Sequence, residues 1–171
     1  MKKVISLLLA IAVIISLVPA VFADDLPTMT VEVDKNEVQP GDTITLTLSI
    51  DQTISNLNNW EWAIYFDKDA YVKTSGELEP GCTTSIGSTA GMVGDNVDIL
   101  GKNAVRVSAL SPSGDPVTLN AGKIATVTFM ATENITAENA RIEVKTEALP
   151  DYDTLEDNSV NLAGNIIDVT V

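Results

Sequence analysis

Histidine is absent from this chain of 171 residues, whereas aspartate and glutamate together number 24. Serine–histidine and cysteine–histidine catalysis are therefore excluded, and so is the commonest transition-metal ligand. Carboxylates remain, and a glycosidase needs only two of them. One of the two must act as an acid, which requires an apolar setting that raises its pKa. Glu61, flanked by Trp60 and Trp62, comes nearest. On an alternating strand, however, its two neighbours point to the opposite face. Cys82 is the single cysteine, so no intrachain disulfide forms, and it follows Pro80-Gly81 without a basic neighbour that would favour its thiolate. Asp67-Lys68-Asp69 is small for a calcium site and carries a lysine. Asp151-Tyr152-Asp153 with Glu156-Asp157-Asn158 offers more oxygen ligands but lacks the glycine and spacing of an EF-hand loop. The expectation is a protein that is not an enzyme and holds no metal of its own.

The element that must position Glu61 runs from Asn58 to Asp67. Its large apolar side chains are Trp60, Trp62, Ile64 and Phe66, at every second position. Successive strand side chains alternate between faces, so these four share one face and Asn59, Glu61, Ala63 and Tyr65 share the other. Both tryptophans of the chain lie here, and a buried aromatic removes about 150–250 Å² from water. The tryptophan face is expected to be core. The Glu61 face is expected to be exposed, so that replacing Glu61 or Asn59 spares folding.

Residues 1–23 read as an address rather than as structure. Lys2 and Lys3 precede a nearly unbroken apolar run from Val4 to Val18, and Val21 and Ala23 stand where a signal peptidase reads. The run is short for a membrane span, and acidic sequence follows it at once. A signal peptide cut before Asp24 leaves a mature domain of residues 24–171, with no cysteine at its start to carry a lipid, and the protein is expected to be secreted. The whole chain has a formal net charge of −14. Loss of Lys2 and Lys3 leaves eight basic against 24 acidic residues, a net charge of −16. Phosphate backbones and anionic membrane surfaces are repelled by such a chain.

The remaining sequence is a series of short strands separated by turn signals. Met29, Val31 and Val33 alternate with polar residues; Gln39-Pro40-Gly41-Asp42 is turn chemistry; and Thr43 to Ile50 alternates four apolar residues with hydroxyls. Asp51 to Leu57 reads as a polar connection. Further strands are expected to begin at Ala70, near Met92 to Ile99, and at Ala104 to Leu110. Others are expected at Gly122 to Met130, Arg141 to Lys145 and Asn165 to Val171, the last with Ile167, Val169 and Val171 on one face. Thr136 to Arg141 could form one helical turn at most. Eight or nine such strands, with no helical period, predict a single all-β sandwich domain.

Taken in order, these segments resemble a cohesin domain, the receptor module of bacterial cellulosome scaffolds. The resemblance rests on Val38-Gln39-Pro40-Gly41-Asp42-Thr43 before a long alternating strand, on Ser55 to Asp67 as the signature strand, on Gly122 to Phe129, and on the closing Gly164 to Val171 strand. It covers nearly all of residues 24–171. It implies a jelly-roll β-sandwich of about nine strands. It also implies binding to a dockerin, a small module of paired calcium loops and helices fused to a secreted polysaccharide-degrading enzyme. Calcium then belongs to the partner and not to this chain. By position, Asn59 and Glu61 match a pair of polar contacts, and Ala63 and Tyr65 continue their row. Arg106, Ser108 and Leu110 form the neighbouring row, with Ser111 and Gly114 just past its end. Glu61 is expected to accept hydrogen bonds from the partner, whereas Glu143 is expected on a distant strand.

The competing reading is a carbohydrate-binding module of the same sandwich architecture. Such modules stack sugars on exposed aromatics. Trp60 and Trp62 have the right chemistry, but the alternation turns them inward, leaving Tyr65, Tyr71 and Tyr152.

Overall fold

The computed structural model describes residues 26–57, 59–79, 83–84, 90–99, 102–110, 117–146 and 161–171. The expected signal peptide, Cys82, Ser111, Gly114 and the acidic stretch from Asp151 to Asn158 lie outside the described residues. The strands are β1 (Thr28–Val33), β2 (Thr43–Ile50), β3 (Ile54–Leu57), β4 (Asn59–Tyr65), β5 (Tyr71–Leu78), β6 (Thr83–Thr84), β7 (Ala90–Ile99), β8 (Lys102–Leu110), β9 (Val117–Leu119), β10 (Gly122–Ala131), β11 (Ile142–Thr146), β12 (Asn161–Ala163) and β13 (Ile166–Ile167).

Ten of them form two five-stranded sheets, ordered β12-β1-β2-β10-β5 and β13-β11-β4-β8-β7. The short strands β3, β9 and β6 make a third, small sheet. β12 and β13 are two pieces of one closing strand that crosses from the first large sheet to the second. Gly164 stands at the crossing with φ of 67° and lies so close to the Val31 carbonyl that a side chain there would collide with it. With that strand counted once and the small sheet set aside, the sandwich has the nine strands expected of the jelly roll.

Alternation decides what each sheet buries. β2 turns Ile44, Leu46, Leu48 and Ile50 into the core and its hydroxyls outward. β4 contributes Trp60, Trp62 and Ile64 from the facing sheet, all fully buried, and Phe66 follows them in. The two indoles meet at 4.8 Å between ring centres, and Phe66 meets Phe129 of β10 at 4.9 Å across the interior. Among the described residues neither indole N–H of Trp60 and Trp62 has a hydrogen-bond partner. Each such orphan costs about 1–3 kcal/mol, which the buried ring area must outweigh.

β10 buries both Ile124 and Ala125, two consecutive residues. A register shift between Lys123 and Ala125 explains this, because a bulge lets neighbours face the same way. At the other end of the sandwich the Tyr71 hydroxyl, on β5 of the first sheet, donates to the Ala140 carbonyl just ahead of β11 in the second. Burial pushes the Tyr71 phenol up to about 12.

Two local expectations are corrected. Asp51 to Leu57 contains a strand, β3, because Ile54 and Leu57 pair with Leu119 and Val117 of β9. Its apolar residues are three apart, and Asn56 between them takes φ of 63°, so no alternating pattern marks it. Thr136 to Arg141 forms turns and no helix, within the bound of one helical turn expected there. Val171 is exposed rather than packed beside Ile167 and Val169, because pairing of this last segment ends at the bridge between Thr170 and Glu37.

Candidate functional site

The outer face of the second sheet holds the residues singled out in the sequence. β4 lies between β11 and β8 and pairs with both in antiparallel register. Glu61 stands opposite Ser108, Ala63 opposite Arg106 on one side and Lys145 on the other, and Tyr65 between Ala104 and Glu143. Asn59 and Leu110 pair with each other at the end of the same two strands. Thus Asn59, Glu61, Ala63, Tyr65, Arg106, Ser108 and Leu110 are brought onto one patch of two adjacent strands, as alternation requires. The tryptophans are on the opposite face, also as expected.

Exposure is a different matter. Glu61 is only 6% exposed, Ala63 fully buried, Tyr65 8% exposed and Ser108 8% exposed. The expected solvent-facing row is therefore largely covered. The reason lies in the flanking strands. A central strand sits in a trough between its neighbours, and here the neighbours carry long side chains. Arg106 and Lys145 stand opposite Ala63 on either side, and Ala63, Tyr65 and Ala104 form a small apolar cluster separate from the main core.

The Glu61 carboxylate is held by Arg106, whose Nε lies 3.0 Å from Oε1. The contact is an ion pair rather than a well-aligned hydrogen bond, since neither atom meets hydrogen-bond geometry. Glu61 keeps 7% of its side-chain surface in water and Arg106 32%. Lys145 Nζ lies 3.4 Å from Glu143 Oε1, with 37% and 29% of the respective side chains exposed. Glu143, expected on a distant strand, is thus on the strand next to β4. Neither it nor Lys145 stood out in the sequence. The alternation of Arg141 to Lys145 gave their parity, but which strand β11 would join depends on long-range pairing.

At the Tyr65 end of this face is a shallow cleft of about 490 Å³, lined by Tyr65, Asp67, Lys68, Asn103, Arg141 and Glu143 among others. Asp67 there serves the β4–β5 turn. Its Oδ1 accepts from the Asp69 amide at 2.7 Å, and its carbonyl accepts from the amides of Ala70 and Tyr71. Among the described residues no group of three or more acidic or cysteine side chains could hold a metal ion.

No family model matches the chain, and no curated protein matches it. Solved structures do. The type II cohesin A11 from Bacteroides cellulosolvens superposes with a TM-score of 0.53 at 16% identity, over 84% of this chain and 99% of that module. The fold is that of a cohesin module. CaCohA2 from Clostridium acetobutylicum, studied in solution, gives a TM-score of 0.51 at 17% identity over 85% of this chain and 92% of its own. CaCohA2 in complex with a CaDoc0917 variant gives 0.50 at 16% identity, over 83% and 99%. The all-β jelly-roll sandwich and the cohesin likeness read in the sequence therefore agree with the structure.

Every aromatic side chain among the described residues is buried, including Trp60, Trp62, Tyr65 and Tyr71. The aromatic platform that a carbohydrate-binding module would need is not formed by them. Among the described residues no helix is long and apolar enough to cross a membrane.

Proposed function

We propose that this cohesin-fold domain is a non-catalytic receptor module that binds a dockerin-bearing partner through the outer face of β4, β8 and β11. The observation that carries the reading is the superposition on the type II cohesin A11 over 99% of that module's length. The face itself supports it, because an ion pair and a covered central row arrive at the partner already ordered, and ordering beforehand lowers the cost of binding. Calcium resides in the partner's loops, so the domain needs no cofactor. Residues 1–23 export it, and it acts outside the cell in an assembly of polysaccharide-degrading enzymes.

Calorimetry of residues 24–171 against a panel of recombinant dockerin modules tests the reading. A saturable complex is expected that chelator abolishes, while the melting temperature of this domain alone does not change. Absence of binding across the panel, together with retention on a polysaccharide column, would overturn it. Expression with residues 1–23 in place is expected to yield a secreted product whose first residue is Asp24.

A further inference from the structure

We propose that the centre of this face is a seat for a carboxylate of the partner, formed by Arg106 and Lys145 on either side of Ala63, and that Glu61 is a positioning residue for Arg106. The inference rests on the dockerin-binding reading for the kind of partner, a protein module, and on this face alone for the chemistry.

The sequence suggests Glu61 as the group that meets the partner. With 7% of its side chain in water, Glu61 is out of reach, and Ser108 beside it is covered as well. Of the described outward side chains around Ala63, those that reach solvent are Arg106, Lys145 and Glu143, two cations and one anion. Neighbouring strands lie about 4.8 Å apart, so the stems of Arg106 and Lys145 rise about 10 Å from each other across β4, within reach of a single carboxylate. Arg106 Nε lies 3.0 Å from Glu61 Oε1, and the guanidinium carries further N–H donors beyond the one that faces this carboxylate. Among the described residues Arg106 makes no further ion pair. A guanidinium paired with Glu61 and, across a fully buried alanine, an ammonium that pairs with Glu143 at 3.4 Å suit charge-assisted hydrogen bonds to one acidic side chain, which takes Lys145 from Glu143. A polyanion is not the ligand, because a chain of net charge −14 repels it at long range. A single aspartate or glutamate on a protein module carries no such penalty. The face thus offers donors where the sequence suggests an acceptor.

The test uses the whole mature domain labelled with ¹⁵N and two small probes at matched ionic strength, sodium acetate and methylammonium chloride. Acetate is expected to produce saturable shifts in the Arg106 Nε–H signal and the Ala63 and Lys145 amides, and methylammonium none. The shifts should vanish in Arg106→Gln, fade in Glu61→Ala and persist in Glu61→Gln, which keeps an acceptor for Nε. No saturable acetate shift, or an equal one at Lys123 on the other sheet, overturns the seat. With a dockerin that binds, Arg106→Gln should lower affinity by at least about 30-fold and Lys123→Gln should not change it. Equal affinity of wild type and Arg106→Gln overturns the seat while leaving the dockerin reading intact. Acetate binding without any dockerin binding supports the seat and overturns that reading.

Discussion

The two outer faces of this sandwich are built by the same rule and finish differently. On the first sheet, β2 and β10 present Thr45, Thr47, Ser49, Thr126 and Thr128, all of them half-buried, with Thr45 and Thr128 hydroxyls 3.2 Å apart. Beside them Val72 and Met130, paired across β5 and β10, stay exposed. On the second sheet the corresponding central row is Glu61, Ala63 and Tyr65, and it is buried. The hydroxyl face has long neighbours too, with Glu32 opposite Thr47, Glu77 opposite Thr126 and Lys123 opposite Ser49, yet its central row keeps part of its surface in water. On the other face Glu61 is held by Arg106, and Ala63 packs with Tyr65 and Ala104 in an apolar cluster of its own. Period-two alternation assigns a face. What the central row pairs and packs with decides how wet that face is.

The first way to break the comparison is to remove what both sheets stand on. Trp62→Ala should cost about 3–5 kcal/mol, because it opens a cavity under both sheets. Urea denaturation measures this, and a loss below about 1 kcal/mol would mean that the two faces do not share one core.

A smaller effect acts on the link between the sheets. Tyr71 has its phenol raised from 10.0 to about 12 in the folded chain. The folded state therefore keeps the proton where the unfolded chain releases it. The contribution is present in full below pH 10, falls as pH rises, and is spent above about 12. Two pH units of difference correspond to about 2.7 kcal/mol at most. Lysines titrate in the same range, so wild type must be compared with Tyr71→Phe. The steeper alkaline loss is expected in wild type, and parallel curves would contradict the burial.

The smallest effects sharpen the contrast between the faces themselves. Thr47→Ala, on the hydroxyl face, should change stability by less than about 0.5 kcal/mol. Glu61→Ala, at the equivalent place on the other face, should cost about 1–2 kcal/mol. That is less than for a fully buried pair, because Arg106 keeps 32% of its surface in water. Equal melting of the two variants would mean that Glu61 is held no more firmly than a surface threonine.

Much of this architecture was legible in the sequence because its strands alternate. The alternation of Thr43 to Ile50 bounds β2 to the residue, and parity alone fixes the inward set Trp60, Trp62, Ile64 and Phe66. What escaped shares one cause, which is dependence on a partner far away in sequence. β3 and β9 carry no period of their own and exist as strands only because they pair with each other and with β6. The placement of β11 beside β4 put Glu143 and Lys145 on the candidate face. The covering of Glu61 required Arg106, 45 positions later in the chain, to reach across the register. Patterns within one strand say which way a side chain points. Only the assembled sheet says what lies over it.

The central claim is that the partner meets the β4–β8–β11 face and not the hydroxyl face. The direct measurement is an amide-shift footprint of the ¹⁵N-labelled domain titrated with a binding dockerin in calcium. Shifts are expected to cluster at Ala63, Tyr65, Arg106 and Lys145, with Thr45, Thr47 and Thr128 unmoved. A footprint centred on those threonines, with Ala63 and Arg106 unmoved, would contradict it.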